Sequence, residues 1–348
     1  MRSKGNKALG MVGKSLLRVA IVARDFPPTR GGLSTYAFGL LRQLRAQGVD
    51  VEVLVGGSDF RTLTIPLSRN LSEFDVVHVM SPPYAAFVGH PHLAVTVAEP
   101  AATEWPYYKF SVKLRAGPAY MLERRVFGRC KCFVALSEAA REKILSRFAV
   151  DPKFIRVIPG GVDLAEFSPG QKVMSPPRIL LVSRLDRRKN IPEAFRALAG
   201  LKESFECVMV GRGPERTALE RLASSLGIKV RFAGSVTDEQ LRECYATSPV
   251  FLTSSHSEGF GLSLLQAMSA GCAVVASDIG AHRELVRDSE NGLIYSSVDD
   301  LTGKLATLLQ DAALIQKLGT AGRKSAEAYS WANIAAEMRK LYEELSRS

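Results

Sequence analysis

Six consecutive residues combine a carboxylate with the residue types that bind phosphate. They are Ser257-Glu258-Gly259-Phe260-Gly261-Leu262, between an apolar strand predicted at 250–253 and a helix predicted over 263–268. The first N–H groups of a helix attract phosphate, and glycine lets the backbone approach it closely. A carboxylate repels phosphate, so we interpret Glu258 as a ligand for the hydroxyls of a sugar beyond the phosphates. A plain strand-to-helix turn with an acidic cap is the alternative.

A second segment places cations after another predicted strand. The strand at 178–182 is followed by Ser183 and by Arg184-Leu185-Asp186-Arg187-Arg188-Lys189, and a helix is predicted over 191–199. Arg184 and Lys189 therefore lie at the carboxyl end of a strand, where open α/β sheets bind ligands. Their charges suit a diphosphate that leaves without a metal ion to neutralise it. Arg187 and Arg188 are equally compatible with a solvated, charged surface.

Alternating strands and helices must position these two segments. Apolar strands are predicted at 17–23, 49–55, 76–80, 92–97 and 131–136, with a helix over 33–46. This alternation is typical of a doubly wound parallel sheet. Proline and glycine mark a break after Asp163, and the alternation resumes from 178 to about 310. We therefore divide the chain into a basic leader (1–16), a first domain (17–170), a second domain (171–325) and a final helical segment (326–348).

The charge balance limits the partners. The 348 residues carry 46 Lys and Arg against 35 Asp and Glu, a net charge of +11 that favours anionic partners. No nucleic-acid-binding motif accompanies this charge, so nucleic acid is not an expected partner. Peripheral contact with an anionic membrane would suit a lipid-linked acceptor, and a generic basic surface is the alternative. The aromatic and basic segment 101–128 is interpreted either as an acceptor- or membrane-facing surface or as a packed helix with a basic outer face.

The cysteines indicate a reducing compartment. There are five, an odd number, and none has metal-site spacing. Cys130 and Cys132 alternate in a predicted strand, so both side chains are expected to face the same way. We recognise no secretory signal and no apolar stretch long enough to span a bilayer. The expected location is therefore the cytoplasm, with possible peripheral contact with the cytoplasmic membrane face, and no metal site is predicted.

An ordered series of motifs resembles the retaining glycosyltransferases of family 4, which have the GT-B fold. Besides the two segments above, the motifs are Asp25-Phe26-Pro27-Pro28-Thr29-Arg30-Gly31-Gly32-Leu33, Phe74-Asp75-Val76-Val77-His78-Val79, Val157-Ile158-Pro159-Gly160-Gly161-Val162-Asp163 and Val210-Gly211-Arg212-Gly213-Pro214. The resemblance implies two Rossmann-like domains facing a cleft, with a C-terminal helix that crosses back to the first domain. It also implies metal-independent, retaining transfer from a UDP- or GDP-sugar to a lipid, glycan or small-molecule acceptor, with no cofactor.

The resemblance assigns the site residues to three groups. Those implied in catalysis are Arg184, Lys189 and Glu258. Those implied in donor binding are Gly31, Gly32, Ser183, Gly211, Gly259, Phe260, Gly261, Leu262 and Gln266. The acceptor would bind the first domain, near Arg30, Tyr36 and Glu99.

Two departures from the family pattern leave other functions open. Gln266 stands where the family has its second glutamate, about two helical turns from Glu258 and expected on the same side. An amide oxygen can still accept hydrogen bonds from ribose, without charge assistance. Ala98 stands at the usual active-site histidine, with Glu99 as a replacement or merely the next acidic position. The alternatives are a catalytically degenerate nucleotide-sugar binder and a nucleotide-sugar epimerase of the same fold.

Overall fold

A computed structural model describes residues 16–23, 26, 31–55, 70–107 and 110–348. Most of the predicted leader and of the loop that follows the first strand lies outside these residues. The acceptor candidate Arg30 is among the residues outside, so its assignment stays a prediction.

The first sheet is built from near-continuous apolar runs, as expected for parallel strands that are buried on both faces. Its strands are β1 (Arg18–Ala23), β2 (Asp50–Val55), β3 (Val76–Val79), β4 (Leu93–Val97), β5 (Phe133–Ala135) and β6 (Ile155–Val157). The helices between them are α1 (Gly32–Ala46), α2 (Pro82–Ala85), α3 (Ala101–Glu104), α4 (Phe110–Phe127) and α5 (Glu138–Leu145). The described strands pair in parallel in the order β2-β1-β3-β4-β5-β6.

The second sheet repeats this construction. Its strands are β7 (Arg178–Val182), β8 (Glu206–Val210), β9 (Val230–Gly234), β10 (Val250–Thr253), β11 (Ala273–Ser277) and β12 (Leu293–Tyr295). The helices are α6 (Ile191–Ala199), α7 (Arg216–Ser225), α8 (Asp238–Thr247), α9 (Leu262–Ser269), α10 (Gly280–Leu285), α11 (Val298–Gln310), α12 (Ala312–Ala326) and α13 (Trp331–Leu345). The parallel order is β12-β11-β10-β7-β8-β9. Two doubly wound α/β units are therefore present, which confirms the predicted fold class.

Successive residues of each strand face different cores. In β7, Ile179 and Leu181 belong to a cluster on one face of the second sheet, whereas Leu180 belongs to a cluster that also contains Ile21 of β1. This second cluster, which we call the shared core, is continuous between the two sheets. The period of two along a strand produces the division, because neighbouring side chains point to opposite faces.

The last helix, α13, attaches to the first domain, as the resemblance implied. Its first residue, Trp331, is 7% exposed and meets Tyr36 of α1 edge to face, with ring centroids 5.6 Å apart. Near its end, Tyr342 bonds through its hydroxyl to His78 Nδ1 of β3 at 2.5 Å. Arg339 donates to the carbonyl oxygen of Gln47 at 3.0 Å. The helix thus belongs by its contacts to the first sheet, although its residues follow the second.

Acid should weaken this attachment through His78. Burial lowers the pKa of His78 to about 3 from an ordinary 6.5. Between these values the unfolded chain binds a proton that the folded protein does not, so stability falls as pH falls. At 1.36 kcal/mol per pH unit, we expect His78 to account for about 2 kcal/mol of lost unfolding free energy between pH 7 and pH 5.

Urea unfolding of the wild type and of His78→Gln at these two pH values measures this contribution. The variant should be less stable at pH 7, because it loses the bonds to Tyr342 and Thr96. Its deficit should shrink by about 2 kcal/mol at pH 5. An equal deficit at both pH values would contradict the assignment.

The prediction that Cys130 and Cys132 face the same way is wrong. Strand β5 begins only at Phe133, so Cys130 lies ahead of it and does not follow its alternation. Cys130 packs on one face of the first sheet and Cys132 in the shared core. All five cysteines are free, and burial raises the pKa of Cys132 to about 12, which makes it a structural thiol.

In the described part of the chain, no helix combines the length and the apolar character that crossing a bilayer requires.

Candidate active site

Two loops of the second sheet meet where its strand order reverses. From β7 the chain first proceeds outward through β8 and β9, and then returns to place β10 on the other side of β7. In open α/β sheets, ligands bind at this reversal, beyond the carboxyl ends of the strands. The loop after β7 carries Lys189 and the loop after β10 carries Glu258, as predicted from the sequence.

Lys189 and Glu258 form a nearly buried ion pair. Lys189 Nζ lies 2.5 Å from Glu258 Oε1, and the two side chains are 11% and 14% exposed. The same carboxylate oxygen accepts a hydrogen bond from Ser255 Oγ at 2.7 Å. Burial alone would raise the pKa of Glu258, but Lys189 outweighs it and lowers the pKa to about 2, with help from His282 and Arg188. At neutral pH Glu258 is therefore an ionised hydrogen-bond acceptor.

Helix α9 begins directly after this pair. Its cap is Gly261, which has φ +102 and ψ +46, a left-handed conformation that suits glycine, and no side chain caps the helix there. Leu262 is the first helical residue, and Phe260 is buried beneath the turn. The N–H groups at this end are therefore available to an anion, with the positive end of the helix dipole behind them.

Ser183 and Gly211 lie together at the neighbouring strand ends. Ser183 N donates to the carbonyl oxygen of Val210 at 3.1 Å. A Cβ on Gly211 would lie only 1.8 Å from the carbonyl oxygen of Ser183, and Gly211 has φ +136. Only glycine permits this approach, so the strand ends β7 and β8 form one edge beside the Lys189 loop.

The Glu258 loop also touches the first domain. A Cβ on Gly259 would lie 2.1 Å from the carbonyl oxygen of Ala98, which directly follows β4. Ser137 Oγ, at the start of α5, donates to the carbonyl oxygen of Gly259 at 2.7 Å. The residue at the position of the family histidine thus contacts the loop through its backbone. The two domains meet at the candidate site.

Replacing Gly259 with alanine should separate the two domains at this point. The backbone of Gly259 is not in a left-handed conformation, so the strain comes only from the contact with Ala98. Because misplacement by about 1 Å can cost about 10²-fold in rate, we expect a decrease of that size in the rate of the reaction at this site. Gly303→Ala is the control, since nothing lies within 4 Å of its Cβ position in α11. Wild-type activity in Gly259→Ala would show that this contact is dispensable.

Glu99 lies at the centre of a charged cluster between the domains. It is 4% exposed and pairs with Lys143 Nζ at 2.8 Å and with Arg188 Nη1 at 2.9 Å. It also accepts a hydrogen bond from Ser257 Oγ. Burial acts to raise the pKa of Glu99, but Lys143 and Arg188 together lower it. Glu99 was predicted near the acceptor, and that role stays a prediction; in the structure its carboxylate makes the contacts of this cluster.

Sequence reasoning missed two members of the cluster. Arg188 was compatible with a solvated surface, but it reaches across to the first domain. Lys143 was not singled out, because a lysine on a helix usually marks the exposed face. No local motif distinguishes it, and its partners lie 44 and 114 residues away in the chain.

Three residues predicted at the site form no hydrogen bond or ion pair with Lys189 or Glu258 among the described residues. Arg184 is 71% exposed and lies 3.4 Å from Asp186. Gly31 and Gly32 begin α1, and nothing lies within 4 Å of either Cβ position. The catalytic role of Arg184 and the donor-binding roles of Gly31 and Gly32 stay predictions.

Tyr36 and Gln266 are buried elsewhere. Tyr36 is 2% exposed and packs inside the first domain against Trp331, and its assignment to the acceptor stays a prediction. Gln266 Oε1 accepts a hydrogen bond from Tyr245 at 3.2 Å, and its side chain faces a small cavity shared with α1. Helix α9 begins only at Leu262, so helical spacing does not relate Gln266 to Glu258. The argument that placed both on one side was therefore wrong, and a role of Gln266 at the ribose stays a prediction.

Within the described ranges, no three His, Cys, Asp or Glu side chains are grouped so that they could hold a metal ion. The charged side chains at the site instead form ion pairs, in which a lysine or an arginine contacts a carboxylate.

Comparisons with known proteins identify relatives of this chain. A family model described as glycosyl transferases group 1 matches residues 164–325, and one described as glycosyltransferase family 4 matches residues 60–166. The chain is 31% identical to an MMP alpha-(1->4)-mannosyltransferase of Mycolicibacterium hassiacum, over 85% of this chain and 79% of that protein.

Two solved structures resemble the fold. Sucrose-phosphate synthase from Thermosynechococcus elongatus superposes with a TM-score of 0.82 at 22% identity, covering 94% of this chain and 98% of that one. Anabaena HepE in complex with UDP and glucose superposes with a TM-score of 0.73 at 16% identity, covering 94% and 100%. At these identities the likeness concerns the two-domain architecture alone.

Proposed function

We propose that this chain uses a nucleotide-sugar donor. The premise is that the chain belongs to the glycosyl transferases group 1 family and is a glycosyltransferase of GT-B fold. In this proposal the sugar passes to an acceptor hydroxyl with retention of configuration and without a metal ion. The second domain holds the donor and the first domain holds the acceptor. The Lys189–Glu258 pair beside the start of α9, at the strand reversal, carries the proposal.

The charges of the site support the departure of a diphosphate. Lys189 pairs with Glu258 in the loop that leads into α9, and together with the first N–H groups of that helix it would stabilise the negative charge that develops on the leaving group. Arg184 is exposed beside the same loop, and its long side chain can turn toward a bound diphosphate. The cations already present would supply the neutralisation that a metal ion supplies elsewhere.

Glu258 would orient the transferred sugar. Among the described residues no hydrogen bond reaches its second oxygen, Oε2, so this oxygen can accept one from a sugar hydroxyl. As the bond from the anomeric carbon to the phosphate oxygen breaks, the acceptor oxygen would bond to that carbon from the same face. The departing phosphate oxygen would take the acceptor proton. Contact between the domains would exclude water, which is the competing acceptor.

Relatives suggest which donors to try. The Mycolicibacterium relative is named a mannosyltransferase, and the Anabaena structure contains UDP and glucose. We therefore propose a UDP- or GDP-hexose donor. The acceptor is proposed to be a lipid-linked, glycan or small polar molecule, and a lipid-linked acceptor would suit peripheral contact of this basic protein with an anionic membrane.

The test incubates the purified protein with UDP-, GDP- and ADP-sugars in EDTA and records thermal shift and release of nucleoside diphosphate. Glu258→Ala and Lys189→Ala are measured in parallel. Stabilisation by one nucleotide family, with release that both variants lose, would support the proposal. Stabilisation without release in the presence of an acceptor panel would favour a degenerate binder, and an epimerised sugar nucleotide would favour the epimerase. No response to any nucleotide would refute the donor site.

A further inference from the structure

We propose that Lys143, held in place by Glu99, is a positioning residue through which the first domain orients the loop that carries Glu258. The inference rests on the proposed function, because it gives Lys143 a part in the reaction of the same site. Lys143 and Glu99 belong to the first domain, whereas the loop follows β10 of the second.

Lys143 uses its ammonium group to join the two domains. Its Nζ lies 2.7 Å from Ser257 Oγ and 3.2 Å from the carbonyl oxygen of Glu258. The third contact is with Glu99 Oε1, at 2.8 Å. An ammonium group has three N–H donors, so these contacts use all of them. One side chain of the first domain therefore fixes both the residue before Glu258 and the main chain of Glu258 itself.

Glu258 is consequently held from both domains. Its carboxylate is held by Lys189 and Ser255 of the second domain, while its carbonyl oxygen is held by Lys143 of the first. The contacts of Lys143 exist only where the domains meet. Full orientation of Glu258 thus depends on closure of the cleft, which supplies the preorganisation that an accurate site needs.

Glu99 prepares Lys143 for this contact and adds a second connection. Its other oxygen, Oε2, accepts a hydrogen bond from Arg188 Nη1 of the second domain at 2.9 Å. Separation of the domains would break the contacts with Arg188 and Ser257 but would leave Lys143 paired with Glu99. The Lys143–Glu99 pair is therefore already formed before the cleft closes, with its two charges neutralised, and the loop binds to it on closure.

The helix that carries Lys143 is itself fixed against the second domain. The carboxylate of Glu284, on α10, accepts hydrogen bonds from the backbone N–H groups of Glu138 and Ala139, at 2.9 and 2.8 Å. These are the first residues of α5, so Glu284 caps the helix from across the interface. Glu284 therefore holds the start of α5, the helix that carries Lys143, against the second domain.

The experiment compares Lys143→Met, Lys143→Arg and the wild type in two measurements. Donor turnover gives kcat and KM, with Kd for the nucleoside diphosphate measured separately. Hydrogen exchange of residues 255–261 is followed without any ligand. Lys153→Met is the matched control, because Lys153 is an exposed lysine of the first domain that pairs with Asp151.

We expect Lys143→Met to lower kcat by about 10²-fold while Kd for the nucleoside diphosphate is unchanged. Exchange in 255–261 should be about tenfold faster, the factor expected for losing one charge-assisted hydrogen bond. Arginine can donate to the same acceptors, so Lys143→Arg should recover part of kcat. Lys153→Met should behave as the wild type.

Two results would overturn the proposal. Unchanged kcat and exchange in Lys143→Met would show that the contact does not orient the loop. An equal loss of kcat and of nucleotide binding would place Lys143 at the donor phosphate rather than behind Glu258. If the wild type turns over no donor, the proposed function fails, yet the exchange measurement still decides whether Lys143 orders the loop.

Discussion

Replacing Lys189 with methionine lowers sugar transfer by about 10³-fold, the upper part of the range found when one preorganised donor to a developing anion is removed. The substitution keeps most of the side-chain volume and removes the charge. It should also destabilise the fold, because Glu258 would remain almost buried without its cation. Breaking a buried ion pair in this way costs about 3–5 kcal/mol of unfolding free energy.

The double variant Lys189→Met/Glu258→Gln separates the two effects. Removing both charges relieves the uncompensated carboxylate, so urea unfolding should show stability returning toward the wild type. Activity should stay lost, since neither the cation nor the carboxylate is restored. Arg216→Met serves as control, because Arg216 forms an exposed pair with Glu220 that contributes at most about 1 kcal/mol. A fully active Lys189→Met enzyme would exclude this lysine from the reaction.

Trp331→Ala should destabilise the protein by about 3–5 kcal/mol, the usual cost of removing a large buried aromatic side chain. The ring is packed closely on two sides by backbone. A Cβ added to Gly39 would lie 2.2 Å from it, and one added to Gly161 would lie 2.6 Å from it. The edge-to-face contact with Tyr36 would be lost as well. Because Trp331 belongs to the shared core, the loss should affect both domains.

This prediction is checked by denaturant unfolding of the wild type and of Trp331→Ala, monitored with two different probes of folding. Met121→Ala is the control, since Met121 is an exposed residue of α4 and its replacement should stay within about 0.5 kcal/mol. The expected outcome is a lower midpoint for Trp331→Ala in both probes. A change below about 1 kcal/mol would contradict the prediction, because it would mean that the surrounding residues move to fill the space left by the ring.

The strands, and the two loops that carry Lys189 and Glu258, could be predicted from the sequence. Parallel strands buried on both faces appear as apolar runs, so β1, β2 and β4 were located to within a residue of their observed starts. Lys189 and Glu258 each lie in the loop that follows such a strand. Once the sheet was predicted to be doubly wound, their meeting at the strand reversal followed from topology.

The contacts between the domains could not be predicted in the same way. Ser257 and Lys143 are 114 residues apart, and neither residue type reveals a partner at that distance. The position of Gln266 was misjudged because a helical period was applied to Glu258, which precedes the helix. The domain boundaries at 170 and 325 stay predictions.

The attachment of α13 has a consequence for synthesis of the chain. His78 and Tyr342, which bond to each other, are separated by 264 residues. At about 5–20 residues per second, a ribosome needs on the order of ten seconds to a minute to make that interval. During this time α1 lacks Trp331, and the first domain exposes the apolar surface that this residue later covers. The half of the protein that is translated first is therefore completed last.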